Sequence, residues 1–309
     1  MKNLNLLFNK TYYEELKLNE SGGAHADFIA SLKRHNEALF SAKFDCETDY
    51  HVSEVKGTSS IYLKTLYPGV LVGTGYSHGS GLKGADEDIK CGFSFDYVSG
   101  QPYIPGSSVK GLLRSAFRNE EVIKSIYSSE YEYDAKALEN AIFGTQAGET
   151  DGDDVFLDAV IRCGDENGKI IGSDYITPHA DPIKNPVPIH IIKIVPNVII
   201  EFRFVLRDTQ FESMTMSVAQ KLEIYETILK YFGIGAKTNV GYGALCGIKN
   251  VDDEINGRKA ALAKHQADGK AGSHMSQNAV GRQNYPPRQN TTSTRKENNF
   301  RQFKNHRGI

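Results

Sequence analysis

The chain has 309 residues, of which 39% are hydrophobic and 24% charged, and a formal net charge of −2. This length allows one large domain or two modest ones, and the hydrophobic fraction is sufficient for a real core. No stretch approaches the roughly 20 apolar residues of a membrane span, and the four scattered cysteines form no CxxC pair. We therefore expect a cytoplasmic protein with no membrane partner and no zinc site.

The charge is distributed unevenly along the chain. Residues 252–309 hold eleven of the 36 basic residues and five of the 38 acidic ones, which leaves 25 basic against 33 acidic residues in 1–251. An acidic body argues against a nucleic-acid contact that spreads over the whole surface. We expect any such contact on a local basic strip.

The first predicted elements are a helix, a strand and a glycine-rich segment. Helical spacing of apolar residues predicts a short helix within residues 24–40, and Ile61–Leu66 reads as a strand. Gly73–Gly81 is too rich in glycine for regular structure, and it contains His78. A loop histidine can act as general acid or base in RNA cleavage. A lone histidine is more often structural or in contact with RNA, so His78 is a candidate for either role.

The segment Ile104–Gly111 runs directly into an amphipathic helix, and Ser107 or Ser108 is the predicted N-cap. Free amides at a helix start favour an anion, and basic side chains nearby add charge to the same surface. We predict contact with an RNA backbone rather than base reading. The alternative is an ordinary capped helix with a solvated basic face. The candidate contact residues are Gly106, Ser107, Ser108, Lys110, Arg114 and Arg118.

The middle of the chain predicts one helix and two strands. They are Tyr133–Phe143, Val155–Ile161 and Ile199–Leu206. The acidic connection over 144–154 lacks the spacing of an EF-hand, so we interpret it as solvated and predict no metal or cofactor. Asp158 is either a functional carboxylate or a structural residue at a strand end.

A second glycine-bearing segment, Gly233–Gly243, lies between a strong amphipathic helix and a short closing strand, Ala244–Ile248. Its glycines let the main chain approach a ligand closely, and its lysine, threonine and tyrosine suit phosphate and base contacts. It is not a Walker loop, because the GxxxxGK[ST] spacing is absent. The alternative is a connection that needs glycine only for tight packing. The candidate contact residues are Gly233, Gly235, Lys237, Thr238, Gly241, Tyr242 and Gly243.

The end of the chain is polar and basic, with almost no aliphatic residues after Leu262. Such a segment buries too little apolar surface to offset its ordering entropy. We predict one domain over residues 1–251 and a disordered basic tail over 252–309. The tail would supply salt-sensitive RNA affinity or act as a passive solubilising extension.

Several of these segments together resemble the RAMP superfamily of CRISPR proteins. The resemblance rests on Val72–Gly75, Pro102–Arg114 and Gly233–Gly243. Val155–Ala159 and Asp174–His179 lie between the last two segments, in an order similar to the sixth-subunit family of type III-B (Cmr) effector complexes. The similarity covers roughly residues 60–248.

The resemblance implies an α+β, ferredoxin-like (RRM-like) RAMP core with insertions. It also implies a non-catalytic RNA-binding structural subunit of a ribonucleoprotein in antiviral defence. The implied partners are CRISPR guide RNA, target RNA as a further candidate, and other RAMP subunits of the Cmr complex, with no small-molecule substrate. Two alternatives remain: a metal-independent RAMP endoribonuclease that uses His78, and an architectural subunit with protein contacts alone.

Overall fold

The structure, a computed structural model, describes residues 3–11, 26–43, 56–72, 88–89, 92–127, 132–145, 151–152, 154–177 and 188–275, with backbone alone at 26–27 and 265–275. In chain order the elements of these residues are α1 (Leu4–Asn9), α2 (Ala26–Phe40), β1 (Thr58–Thr65), β2 (Tyr103–Ile104), α3 (Gly106–Ala116), α4 (Glu120–Ile126), α5 (Ala135–Phe143), β3 (Val155–Phe156), β4 (Ala159–Cys163), β5 (Ile171–Ile176), β6 (Ile189–Ile194), β7 (Ile199–Val205), β8 (Thr209–Phe211), β9 (Met214–Met216), α6 (Val218–Phe232), a 3-10 helix (Thr238–Val240), β10 (Leu245–Gly247) and α7 (Val251–Met275).

The main sheet has a ferredoxin-like core. Its strand order is β10-β1-β7-β4-β2, and β3 also pairs with β7, with every pairing antiparallel. In chain order the core elements are β1, α3, β4, β7, α6 and β10, which is the split βαβ pattern of ferredoxin-like folds. The remaining helices and the hairpins β5–β6 and β8–β9 precede, follow or interrupt this pattern. The predicted α+β, ferredoxin-like fold with insertions is confirmed.

The core lies where α3 and α6 pack against this sheet. Strand β1 alternates, with Ile61 and Leu63 buried, whereas the central strand β7 is buried at most positions. Helix α3 buries Val109 and Leu113, one helical turn apart, in the same apolar cluster. Helix α6 begins at a capping box formed by Ser217 with Gln220 and ends at Gly233.

Two predicted elements differ from the structure. The strand predicted over Val155–Ile161 is divided into β3 and β4, because the ladder to β7 is interrupted at Leu157 and Asp158. The chain is also helical over Val251–Met275, where the sequence predicted disorder from residue 252. The predicted domain boundary therefore falls at the start of α7, and residues 276–309 lie outside the described part.

Polar contacts hold the beginning of α7 against residues of the core domain. Arg258 is only 7% exposed, and its guanidinium donates to the carbonyl of Gly164 at 2.7 Å and to the carbonyl of Asn197. Glu254 accepts from the same guanidinium at 2.6 Å. Apolar contacts add to this anchor, because Leu262 is buried in the core cluster and Ile255 packs against it. Composition alone revealed neither the buried arginine nor these contacts.

The chain divides into two units, residues 1–265 and residues 266–309. The first contains the sheet and all elements from α1 to β10. Of the second, the structure describes the backbone of 266–275, which is helical. None of the described helices combines the length and apolar character that crossing a bilayer requires.

Candidate nucleic-acid interface

The two residues between β3 and β4, Leu157 and Asp158, contact the first residue of α3. Pro105 occupies the N-cap position, and the helix begins at Gly106, so neither Ser107 nor Ser108 is the cap that the sequence predicted. The amide of Gly106 donates to the carboxylate of Asp158 at 2.7 Å. A helix N-terminus favours an anion, and here a carboxylate of the same chain takes the place predicted for phosphate at Gly106. Asp158 thus has a structural role.

Gly106 is also needed for close packing. It is buried, and a Cβ atom at this position would lie closer than 3.0 Å to backbone atoms of Phe156 and Leu157. Ser107 and Ser108, on the same turn, are exposed. The ammonium of Lys110 lies 5.8 Å from the ring centroid of Phe156. A cation–π contact of this kind orients the lysine at the surface.

Arg114 joins α3 to α5. Its Nε donates to Glu139 at 2.8 Å and its Nη2 donates to the carbonyl of Gly144 at 2.9 Å. Burial would raise the pKa of Glu139, but hydrogen bonds and positive charge from Lys136 and Arg114 hold that pKa below its ordinary value. Arg114 therefore has two partners within the protein, and its phosphate contact stays a prediction.

Arg118 lies beyond the end of α3. The helix ends at Ala116 with Phe117 as its C-cap, and Arg118 is exposed in the following turn. The three basic residues that recur every four positions thus do not form one continuous helical stripe. Lys110 and Arg118 remain at the surface, separated by the ion-paired Arg114.

The base of the loop Gly233–Gly243 is closed by backbone hydrogen bonds. The amide of Ile234 donates to the carbonyl of Gly243 at 2.9 Å, and the amide of Gly243 donates to the carbonyl of Gly69 at 2.8 Å. Gly233, Gly235 and Gly243 all have positive φ, and at each a Cβ would lie closer than 3.0 Å to another backbone. Packing within the protein is thus sufficient to require these three glycines, and their approach to a ligand stays a prediction.

The tip of the same loop faces solvent. Lys237 is exposed and has a φ of 62°, the left-handed conformation that non-glycine residues rarely adopt. The 3-10 helix Thr238–Val240 follows, and Gly241, with a φ of 95°, ends it. Val240 is 67% exposed. We call residues 237–241 the loop tip; it offers an ammonium, a hydroxyl and accessible main chain.

Tyr242 lies beneath the loop tip rather than on the surface. It is 8% exposed, and its hydroxyl donates to Asp174 at 2.8 Å. The ammonium of Lys193 donates to the same carboxylate at 2.6 Å and lies 5.9 Å from the Tyr242 ring centroid. Burial, and then the hydrogen bond and charge of Asp174, raise the pKa of Tyr242 to about 12. The predicted base stacking by Tyr242 is replaced by an anchoring role.

A surface tyrosine that the sequence reading missed lies on the neighbouring turn. Tyr67 is 83% exposed. Its turn is hydrogen-bonded to the strand after the loop, because the amide of Leu66 donates to the carbonyl of Ala244 at 2.9 Å. A Cβ placed on Gly241 would lie 3.8 Å from Pro68, so the turn and the loop tip are adjacent. Tyr67 directly follows the predicted strand Ile61–Leu66, but nothing in the sequence indicated that its ring is exposed.

The two glycine-bearing segments lie at opposite edges of the sheet. Helix α3 follows the edge strand β2, whereas the loop precedes β10 at the other edge. They also lie at opposite ends of the strands. Gly106 packs on Phe156, which pairs with the end of β7, whereas the loop leads into Leu245, which pairs with the end of the antiparallel strand β1. The segments therefore form two separate surfaces rather than one cradle.

The predicted catalytic candidate His78 lies outside the described residues, as does His179 in the segment that carried part of the resemblance. Within the described ranges no group of three His, Cys, Asp or Glu side chains is placed to hold a metal ion. Asp154, predicted to be solvated, is buried and forms an ion pair with the fully buried Lys221 at 2.8 Å. Its other carboxylate oxygen accepts from Tyr225 at 2.8 Å, so this acid supports the fold.

The chain shares this architecture with a chain of a solved complex. One chain of the type III-B Cmr-beta complex, solved by cryo-EM bound to cognate target RNA, is 21% identical, with a TM-score of 0.51 over 78% of this chain and 83% of that chain. Cmr6 from Pyrococcus furiosus is 19% identical, with a TM-score of 0.36 over 62% of this chain and 97% of that chain. No curated protein sequence matches. The model of the RAMP superfamily matches residues 62–246, more than half of the sequence, and the chain therefore belongs to the RAMP superfamily.

Proposed function

We infer that this chain is a non-catalytic RNA-binding subunit of a type III-B CRISPR ribonucleoprotein. Membership of the RAMP superfamily and the shared fold with a chain of an RNA-bound Cmr-beta complex support this inference. Its partners would be the guide RNA, the target RNA as a further candidate, and other RAMP subunits. No small-molecule substrate or cofactor enters the proposal.

The observation that carries the proposal is the pairing of the loop tip with Tyr67. Lys237 offers a charge to phosphate, and the 83% exposed ring of Tyr67 offers a stacking surface on the adjacent turn. Single-stranded nucleic acids are bound by this combination of a local positive charge and an aromatic platform, without dependence on sequence. A guide RNA of variable sequence requires contacts of that kind.

A second contact is proposed at the other edge of the sheet. Ser107, Ser108 and Arg118 are exposed there, and the half-buried Lys110 lies beside Phe156. We propose that one strand reaches both edges, with the loop tip as the stronger contact.

Equilibrium binding of the full chain to labelled single-stranded RNA at several salt concentrations tests the loop-tip contact. Lys237→Ala is expected to weaken binding and to reduce the salt slope by about 0.7, since one phosphate contact is lost. Tyr67→Ala is expected to cost about 1–3 kcal/mol with the slope unchanged, because stacking carries no net charge. Lys230→Ala and Tyr97→Ala, at exposed positions elsewhere, are the matched controls.

Equal affinities and slopes in all four variants would refute the loop-tip contact. The non-catalytic assignment has its own test, which is incubation with labelled repeat RNA in EDTA. Intact RNA is expected. Site-specific cleavage that disappears in His78→Ala would favour the endoribonuclease alternative instead.

A further inference from the structure

A groove lies between α2 and the hairpin β5–β6. Side chains alternate along a strand, so Tyr175 lies on the opposite face of this hairpin from its neighbour Asp174, which holds Tyr242. The volume of the groove is about 390 Å³, within the range of sites that hold small ligands. Lys33 and Glu37 line it from α2, and Lys169 and Tyr175 line it from the hairpin side. Two independent elements thus contribute basic and aromatic groups to one concave surface.

The floor of the groove is an aromatic stack. Tyr175 and His190 are direct partners in the β5–β6 register. Their rings are 4.7 Å apart with an interplanar angle of 12°, and Phe40 contacts His190 edge-on at 6.0 Å. His190 is 4% exposed, whereas Tyr175 is 51% exposed. The stack therefore has a buried inner layer and an outer ring at the surface, which is an arrangement that a planar base extends.

The groove is locally basic on an acidic domain. Lys33 and Lys169 are exposed, and Lys43, which bridges to Lys169 through the backbone, is exposed as well. Among the described residues no ion pair joins any of these three lysines to a carboxylate. Glu37 is the one carboxylate that lines the groove. Its carboxylate can accept a hydrogen bond from a hydroxyl or amino group, whereas the lysine ammonium groups can bind an anion.

We propose that this groove binds one nucleotide unit, with the base stacked on Tyr175 and the phosphate between Lys33 and Lys169. A ribose hydroxyl or a base amino group is the donor that complements Glu37. The site is separate from the loop tip and depends on different residues, so it stands whether or not the loop-tip contact holds. The same chemistry is presented by a nucleotide within single-stranded RNA and by free AMP, and both are tested.

Photocrosslinking of the full chain locates the site directly. A decauridylate that carries 5-iodouridine, and separately 8-azido-AMP, are the probes, and crosslinked peptides are mapped by mass spectrometry. A crosslink at or next to Tyr175 is expected with at least one probe. Tyr175→Ala is expected to abolish that crosslink and to weaken binding of the same probe about fivefold or more. Tyr175→Phe, which keeps the ring, is expected to retain both.

The charge requirement is tested with paired lysine substitutions. Lys33→Gln with Lys169→Gln is expected to weaken binding of the probe that crosslinks at Tyr175 and to lower its salt dependence. Lys124→Gln with Lys230→Gln, at exposed helix positions elsewhere, controls for the change in net charge. A circular dichroism spectrum identical to that of the parent confirms that each variant folds.

Two outcomes would overturn the proposal. One is that neither probe crosslinks to the groove and Tyr175→Ala binds both probes as the parent does. The other is that Tyr175→Ala retains both probes but no longer co-purifies with another protein, which would make the groove a protein contact. Lys237→Ala is expected to leave the Tyr175 crosslink in place. Loss of the Tyr175 crosslink in Lys237→Ala would contradict a separate site and would mean that the groove binds RNA only as part of the loop-tip interface.

Discussion

The start of α3 and the loop Gly233–Gly243 are alike in sequence and different in structure. Both join glycine to lysine and hydroxyl residues. At α3 the amide of Gly106 donates to Asp158 and the side chain of Arg114 donates to Glu139, so the polar groups are largely satisfied inside the protein. In the loop, three glycines close the base and the loop tip projects its lysine to solvent.

This difference shows what glycine beside lysine does and does not indicate. A glycine allows close approach of a backbone, but the approaching group is as readily another strand of the same protein as a phosphate. What separates the two segments is whether the following side chains have internal partners. Arg114 has two, whereas Lys237 is held in a left-handed conformation and is exposed. Strain of that kind is retained where the surrounding structure enforces it, often at functional sites.

The largest effect is expected from Gly106→Ala. The new Cβ would lie closer than 3.0 Å to backbone atoms of Phe156 and Leu157, so α3 must shift away from β3. We expect a loss of about 3 kcal/mol in the free energy of unfolding, measured by urea denaturation. Gly111→Ala is the matched control, because no atom lies within 4 Å of its Cβ, and it is expected to stabilise by about 1 kcal/mol. Equal stability of the two variants would contradict the packing role of Gly106.

Next in size is Arg114→Ala. It leaves Glu139, which is 5% exposed, with Lys136 as its remaining ionic partner, so we expect a loss of about 2 kcal/mol in unfolding free energy. RNA affinity is expected to stay unchanged, because the guanidinium faces α5. Lys237→Ala is expected to show the reverse, with weaker RNA binding and stability nearly unchanged. If Arg114→Ala instead lost RNA affinity at unchanged stability, this arginine would be assigned to the RNA interface.

The fold was predictable from the sequence because its core strands and helices carry strong periodicity. Ile199–Leu206 and the helix ending at Phe232 were placed within a residue or two of β7 and α6. The partners of polar side chains were not predictable, since they come from distant segments. Asp154 appeared to belong to a solvated loop, yet it pairs with Lys221, which lies 67 residues away in the chain.

The candidate site was predictable only in part, for the same reason. Lys237 and Thr238 were identified from local composition, and they lie at the loop tip. The sequence did not reveal that Tyr242 is buried and Tyr67 exposed, because the exposure of a ring depends on which strand covers it. Tyr242 is covered by the hairpin that carries Asp174, and Tyr67 is on a turn that leaves 83% of it exposed.

The anchor beneath the loop tip is tested by Tyr242→Phe. Loss of the hydrogen bond to Asp174 is expected to cost about 1.5 kcal/mol near neutral pH. The folded-state pKa of Tyr242 is raised to about 12 from an ordinary value of 10.0. Its contribution is thus fully present below pH 10.0 and is lost as pH rises toward 12. The stability difference between parent and variant is expected to shrink across that window in urea titrations.

A stability difference between parent and variant that stays constant over the same alkaline range would contradict the link between loop stability and the ionisation of Tyr242. The comparison with the parent is necessary because burial also raises the pKa of Tyr133 and Tyr225, so the whole protein loses stability at high pH. Only the difference between Tyr242→Phe and the parent isolates the loop anchor. Asp174 stays ionised throughout, because hydrogen bonds from Lys193 and Tyr242 outweigh burial and lower its pKa.

The smallest expected effect separates strain from function at the loop tip. Lys237 has a φ of 62°, a conformation that costs an ordinary residue about 1 kcal/mol and glycine almost nothing. Glycine relieves this strain but adds conformational entropy to the unfolded chain, which offsets part of the gain. Lys237→Gly is therefore expected to raise the unfolding free energy by about 0.5 kcal/mol, while it weakens RNA binding as much as Lys237→Ala does. A gain in stability together with a loss of RNA affinity is the result expected for a strained binding residue. A gain in stability with RNA affinity intact would show instead that the left-handed lysine only closes the turn, and the loop would then resemble the start of α3.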